Sequence, residues 1–313
     1  MARHHADSAK NALEASVSDT ALSAPSSKSR LALVALLVGG VAIGASPIFV
    51  RLSEVGPLAT GFWRVALALL PLFVWSGVTQ PAKADRKPEG WRDFVLLTLP
   101  GVFLAADLAA WHLSLHMTSV ANATLLANFA PIFVTLGAWV LFRTHITRIF
   151  LLGLATALAG VMILKGGFAG LGGGNLSGDA TAIVAAVFYA AYMLSIGHLR
   201  SRFSTIRIII WTTVSSAICL LPVALFYETG LIPLTLFGWA MVVGLAFVAH
   251  AAGQGLIIYA LAFLPPAFLS LTLLLQPVVA AILAWIILSE PVGPMQALGG
   301  TVVLAGILIA RRG

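Results

Sequence analysis

The feature that most constrains this chain is a succession of long apolar segments joined by short polar connectors. A helix rises 1.5 Å per residue, so ~20 apolar residues cross a ~30 Å hydrocarbon core. Such segments fall at 31–52, 58–77, 93–114, 117–142, 149–165, 179–199, 208–227, 236–262, 266–288 and 293–310. Hydrocarbon offers no partner for backbone polar groups, and a helix satisfies them internally. The expected fold is an all-α polytopic membrane protein with ten transmembrane helices. Composition agrees: 60% of the 313 residues are hydrophobic and 9% charged, against about 25% charged in soluble domains. Residues 1–30 are polar, with no apolar stretch before a cleavage site. They read as a disordered cytoplasmic tail, not a removable signal peptide.

The net charge of +7 is a topology signal rather than a nucleic-acid footprint. Ten spans put both termini on one side. That side collects Lys83, Arg86, Lys87 and Arg92 after span 2, then Arg143 and Arg148 after span 4. It also collects Arg200, Arg202 and Arg207 after span 6, and Arg311 and Arg312 after span 10. The other side has Arg51 and Lys165. By the positive-inside rule both termini are cytoplasmic and the chain belongs in a bacterial inner membrane. The single cysteine, Cys219, rules out an intrachain disulfide or a cysteine metal cluster. There is no GxxxxGK[ST], HExxH or GxSxG sequence. No cofactor, metal, nucleic acid or ATPase subunit is therefore implied. The expected partners are a small-molecule substrate and the lipid bilayer, and a monomer is expected.

Two apolar stretches share an unusual pattern: NFAPIFVTLGAWVLF at 128–142 and LLQPVVAAILAWIIL at 274–288. A shift of 146 positions carries Pro131 to Pro277, Trp139 to Trp285, Gly153 to Gly299 and Gly160 to Gly306. Chance matching explains Leu and Ala, but not Pro, Trp and two Gly in one register. Spans 1–5 (31–165) thus correspond to spans 6–10 (179–311), with glycine-rich 166–178 as an external linker. Five is odd, so the halves insert in opposite orientations, as inverted transporter repeats do. Pro131 and Pro277 are expected to soften helices 4 and 9 and let them bend. Gly153, Ala157, Gly160, Gly299, Gly300 and Gly306 permit close helix approach, within the fold or between protomers.

The chain resembles the drug/metabolite transporter superfamily, specifically its EamA-type ten-helix exporters. The two blocks 128–160 and 274–306 carry the resemblance, with weaker support from GASPIFVRLSEVGPLATGFWRVALALLP at 44–71. It covers about residues 31–311. Such proteins include exporters of aromatic and other amino acids and carriers of other metabolites. The resemblance implies a cavity between the halves, lined largely by helices 1, 3, 4, 6, 8 and 9. The acidic residue frequent at the end of the family's fourth helix is replaced here by Arg143-Thr144, so no role for it carries over. The implied function is a secondary transporter exporting small metabolites, amino acids foremost, by alternating access. A carrier of another metabolite or drug-like compound is the alternative, and a membrane-embedded enzyme the more distant one.

Ionisable groups inside a bilayer cost about 2.5–3.5 kcal/mol each, which makes them candidates for function. Asp107 in span 3 and Arg64 in span 2 lie at similar depth, ~9–12 Å from the external side. They read either as a structural ion pair between helices or as a coupling or substrate site. His112 and His250 read as interhelical hydrogen-bonding groups or proton carriers. Asn122, Asn128, Gln254 and Gln276 offer amides to a substrate or to a neighbouring helix. Trp63, Trp111, Tyr189, Tyr192 and Trp211 offer flat apolar faces; Tyr189 and Tyr192, three apart, share one helix face. The substrate-binding set is Trp111, Asn128, Tyr189, Tyr192, His250, Gln254 and Gln276.

Overall fold

The computed structural model describes residues 27–78, 87–118, 120–164, 166, 175–289 and 292–313. In the first half, span 1 runs Ser27–Gly44 and, past Ala45, Ser46–Leu52; span 2 is Pro57–Val78 and span 3 Trp91–Met117. Span 4 comprises Val120–Ala127 and Ala130–Phe142, and span 5 is Arg148–Leu164. In the second half, span 6 is Leu176–Leu199 and span 7 Thr205–Tyr227. Span 8 is Leu236–Gly244, a π-helical stretch Leu245–Gln254, and Gly255–Ala260. Span 9 comprises Pro266–Thr272 and Leu275–Leu288, and span 10 is Pro294–Ala310. Among the described residues, eight spans are long and apolar enough to cross a membrane, and the two of 17 residues, spans 5 and 10, are shorter apolar helices.

Several helix starts differ from expectation: those of spans 1, 6 and 7 come early and that of span 4 late. Span 1 begins at Ser27, so residues 27–30 are helical rather than tail. Its polar first turn extends the helix beyond the apolar stretch that marked it. Span 6 begins at Leu176, three residues early, because the Asn175 side chain accepts the Ser177 N–H at 3.2 Å and caps it. The rest of the expected tail, most of the expected linker, Lys83, Arg86, Lys165 and the Asn122 side chain lie outside the described residues.

Pro131 and Pro277 stand beside helix breaks rather than inside unbroken helices. Span 4 is interrupted at Asn128–Phe129 and span 9 at Leu273–Leu274, where the ladder tightens to i→i−3 bonds. These are Phe129 N–H to Leu126 O at 3.1 Å and Leu274 N–H to Leu271 O at 3.0 Å. Each proline then occupies the first turn of the resumed helix, where a missing N–H costs nothing. The same two helices end alike. Arg143 (φ 51°) and Ser289 (φ 56°) are, among the described residues, the non-glycine positions with positive φ. Their N–H groups bond to Ala138 O and Ala284 O. Caps and acceptors are again 146 positions apart.

Spans 5 and 10 pack antiparallel, and their small residues are the reason. A Cβ added at Gly153 would lie 2.7 Å from Ala310 Cα, and one at Gly299 would lie 2.6 Å from Leu164 Cα. One at Gly160 would lie 2.5 Å from Val303 N, and one at Gly306 2.7 Å from Ala157 Cα. The 146-residue shift maps the first contact onto the second and the third onto the fourth. A contact that is its own image requires a two-fold relation between the halves, so these glycines act within the fold. Other packed pairs obey the same relation. Span 3 lies on span 6 as span 8 lies on span 1, and span 7 lies on span 3 as span 2 lies on span 8.

The core between the halves holds Leu36, Leu72, Leu97, Tyr192, Ile208 and Ile257, all fully buried. Many large apolar side chains face outward instead. Trp139 and Trp285, the repeated pair, are 58% and 57% exposed. In a bilayer that outer surface meets lipid, and dispersion and interhelical hydrogen bonds replace the hydrophobic effect as the force between helices.

Candidate functional site

A polar layer crosses the middle of the bundle. Arg64 comes from span 2, Asp107 from span 3, Tyr189 and Tyr192 from span 6, and His250 and Gln254 from the π-helical part of span 8. Arg64 lies within electrostatic reach of Asp107, Tyr189 and Tyr192. Among the described residues no salt bridge within 4.0 Å joins Arg64 to Asp107; elsewhere Arg202 pairs with Asp93 at 3.3 Å. Gln254 Nε2 donates to the Tyr192 hydroxyl at 3.1 Å. The Tyr189 and Tyr192 rings lie 5.8 Å apart. His250 Nε2 is 2.9 Å from the Thr213 hydroxyl of span 7. Two buried polar atoms of the layer have no protein partner: Arg64 Nε and Gln254 Oε1. An unsatisfied buried polar atom costs about 1–3 kcal/mol. Their clustering marks a place where a polar molecule gains bonds without breaking any.

The candidate residues separate into two groups. Arg64, Asp107, Tyr189, Tyr192, His250 and Gln254 are brought together as described. Trp111 is half-buried, with its ring 4.9 Å from that of His112, which in turn packs under Gly61 of span 2. Asn128 turns back on its own helix and donates to Thr124 O at 2.7 Å. Gln276 is half-buried, just past the break in span 9, against Gly44. Trp63 lies away from the layer: its Nε1 donates to Leu231 O at 2.5 Å and its ring packs on Trp239. Sequence reasoning missed Thr213. A lone threonine in an apolar span gives no signal until its histidine partner, 37 positions on, is known. Among the described residues no three His, Cys, Asp or Glu side chains converge as metal ligands would.

The EamA-like transporter family matches this chain twice, over residues 30–165 and 176–312. The chain belongs to the EamA-like transporter family. An uncharacterized transporter of Archaeoglobus fulgidus is 27% identical over 281 residues, spanning 89% of this chain and 95% of that protein. A Streptantibioticus cattleyicolor protein, named "Probable terminal-alkyne amino-acid exporter", is 26% identical over 272 residues, spanning 85% and 87%. A crystal structure at 18% identity covers 92% of this chain and 99% of its own, with a TM-score of 0.75, and shows the same fold.

At the face opposite the arginine-rich connectors, this EamA-like transporter is closed by two carboxylates. Glu228, at the end of span 7, accepts the N–H groups of Leu58 and Ala59 at 2.6 and 2.9 Å, capping span 2. Glu54, after span 1, accepts those of Leu234 and Thr235 at 3.0 Å each, together with the Thr235 hydroxyl, at the start of span 8. Each carboxylate thus ties one half to a helix N-terminus of the other, where the helix dipole favours negative charge. The Thr235 hydroxyl, then the backbone N–H groups, hold the Glu54 carboxyl below its usual range. A depressed folded-state pKa gives stability above the unfolded value of about 4.3, lost as pH falls through the folded one. The melting-temperature gap between the parent and Glu54→Gln should therefore shrink from about pH 6 to about pH 3. A gap independent of pH would remove the charged clasp from the account.

Proposed function

We propose that this transporter is a secondary carrier of the inner membrane that exports neutral amino acids, aromatic ones foremost, by alternating access. In this reading the arginine-rich face is cytoplasmic and the chain catalyses no chemical step. The observation that carries it is the pairing of Arg64 and Asp107 in one layer without a direct salt bridge. A zwitterion satisfies both groups, its carboxylate at Arg64 and its ammonium at Asp107. Tyr189, Tyr192 and Trp111 would receive the side chain. The unpartnered atoms Arg64 Nε and Gln254 Oε1 supply one further donor and one further acceptor. The similarity to a protein named as an amino-acid exporter favours the same class.

A competition screen in proteoliposomes tests this. Labelled phenylalanine should move saturably, and unlabelled tyrosine or tryptophan should compete better than alanine or threonine. Trp111→Ala or Tyr189→Ala should narrow that preference. No saturable flux of any zwitterionic amino acid would sink the reading, and turnover without movement would point to an enzyme.

A further inference from the structure

We propose that a crevice between the two halves, on the arginine-rich face, is a binding site for one anionic phospholipid. It lies apart from the polar layer and holds whatever the transported substrate is. The crevice measures about 420 Å³, and ligand sites typically run about 300–1,000 Å³. The first half supplies Arg30 and Leu33 of span 1, with the connector 144–147. The second half supplies 264–268, between spans 8 and 9, and Arg311 just past span 10. Most of the wall is apolar: Leu33, Leu264 and Phe268 are half-buried and Phe150 is buried. Arg30 and Arg311 are exposed, and no lining residue among those described is Asp or Glu. Among the described residues no hydrogen bond or ion pair engages either guanidinium.

That combination matches an anionic lipid. Guanidinium groups bind phosphate through paired charge-assisted hydrogen bonds. Basic pockets between transmembrane helices hold lipid headgroups. The helix ends place Arg30 and Arg311 at headgroup depth, and the leucines and phenylalanines then receive an acyl chain. A soluble anion would use the arginines and leave the apolar walls bare. The repeat supplies an internal control. The 146-residue shift carries Leu33 to Asp179 and Leu264 to Thr118, and there Thr118 Oγ1 donates to Asp179 Oδ1 at 2.6 Å. It carries Phe150 to Gln296 and Arg30 to Leu176. The matching place on the opposite face is thus bridged by a polar pair, where this face keeps apolar walls under a cation. The positive-inside rule accounts for the arginines but not for the exchange of Asp and Thr for two leucines. A lipid seated here would join the halves on this face, as Glu54 and Glu228 join them on the other.

Native mass spectrometry of the full chain tests this, with phosphatidylglycerol and phosphatidylcholine of identical acyl chains offered in equal amounts. The parent should retain one phosphatidylglycerol about 30-fold more tightly than phosphatidylcholine. Arg30→Gln and Arg311→Gln should each lower that preference about 5-fold. Arg312→Gln, exposed next door but not lining the crevice, should leave it unchanged. Leu264→Trp fills the crevice without altering charge and should reduce retention of phosphatidylglycerol to that of phosphatidylcholine. Glycerophosphoglycerol, the headgroup without its chains, should not displace the lipid at millimolar concentration. Equal retention of the two lipids by the parent, or a preference that Arg312→Gln lowers as much as Arg30→Gln does, overturns the site. Displacement by the bare headgroup makes it a site for soluble anions and overturns the lipid. A dimer that Leu264→Trp converts to monomer makes a second copy the occupant and overturns the lipid too. None of these outcomes depends on amino-acid flux, so the function proposed above stands or falls separately.

Discussion

Replacing Arg64 with Gln should cut amino-acid flux roughly 100-fold, the equivalent of losing a charge-assisted hydrogen bond of about 1.5–3 kcal/mol. Asp107→Asn should do the same by removing the ammonium's partner. The two changes differ from ordinary core damage in how they combine. Each single variant leaves one charge uncompensated in the bundle, which costs about 3–5 kcal/mol of stability. Arg64→Leu with Asp107→Leu removes both charges and should melt closer to the parent than either Leu variant alone, yet still fail to transport. Recovery of stability without recovery of flux separates binding from bridging. If the double variant transports at the parental rate, the two side chains act only in holding the bundle together. A proton role for Asp107 demands more: Asp107→Asn must also lose any dependence of flux on a pH gradient.

The second large effect belongs to the contact between spans 5 and 10. Gly306→Ala would put a methyl 2.7 Å from Ala157 Cα, and Gly160→Ala would put one 2.5 Å from Val303 N. Backbone cannot swing aside as a side chain can, so the helices must separate. Overpacking of this kind costs about 1–3 kcal/mol. That more than consumes the ~1 kcal/mol that Ala gains over Gly in a helix. Gly300→Ala is the control on the same helix. Its new methyl would come nearest to Val278 Cγ1, at 3.3 Å, with Val278 Cγ2 and Leu164 Cδ1 at 3.9 and 4.0 Å, all side-chain atoms able to give way. Gly306→Ala and Gly160→Ala should lower the melting temperature by several degrees, and Gly300→Ala should leave it unchanged or raise it. Identical melting of Gly306→Ala and Gly300→Ala would show that this contact is not tight in the membrane.

What the sequence revealed follows from the range of each signal. Hydropathy is local, so ten spans could be read from it, and the charge asymmetry fixed their parity. The 146-residue shift was visible because Pro, Trp and Gly stand out among aliphatic letters. It proved to run deeper than the letters, since Arg143 and Ser289, unlike in chemistry, share a left-handed cap. The helix breaks were not legible. Proline signals a weak point but does not say on which side of it the ladder fails. Nor was the π-helical stretch, whose sequence LAFVAHAAGQ has nothing to distinguish it from ordinary helix. Contacts that depend on distant partners stayed hidden as well. Glu228 meets Leu58 across 170 positions, and nothing near either residue announces the other.

Glu54 and Arg200 are separated by the same 146 positions that relate the halves, yet they carry opposite charge and both grip span 8. Glu54 holds its N-terminus through Leu234 and Thr235, and Arg200 holds its last turn through Ile258 O. Opposite signs suit the opposite poles of one helix dipole. Mechanically, span 8 is a beam with one end pinned to the first half and the other to the second. While both pins hold, relative rotation of the halves has to be absorbed along the beam. The widened i→i+5 ladder of Leu245–Gln254 is the part of it best able to slip by one hydrogen-bond step. Such a slip would turn His250 and Gln254 with it, so movement of the halves and the reach of the polar layer would be geared to the same ten residues.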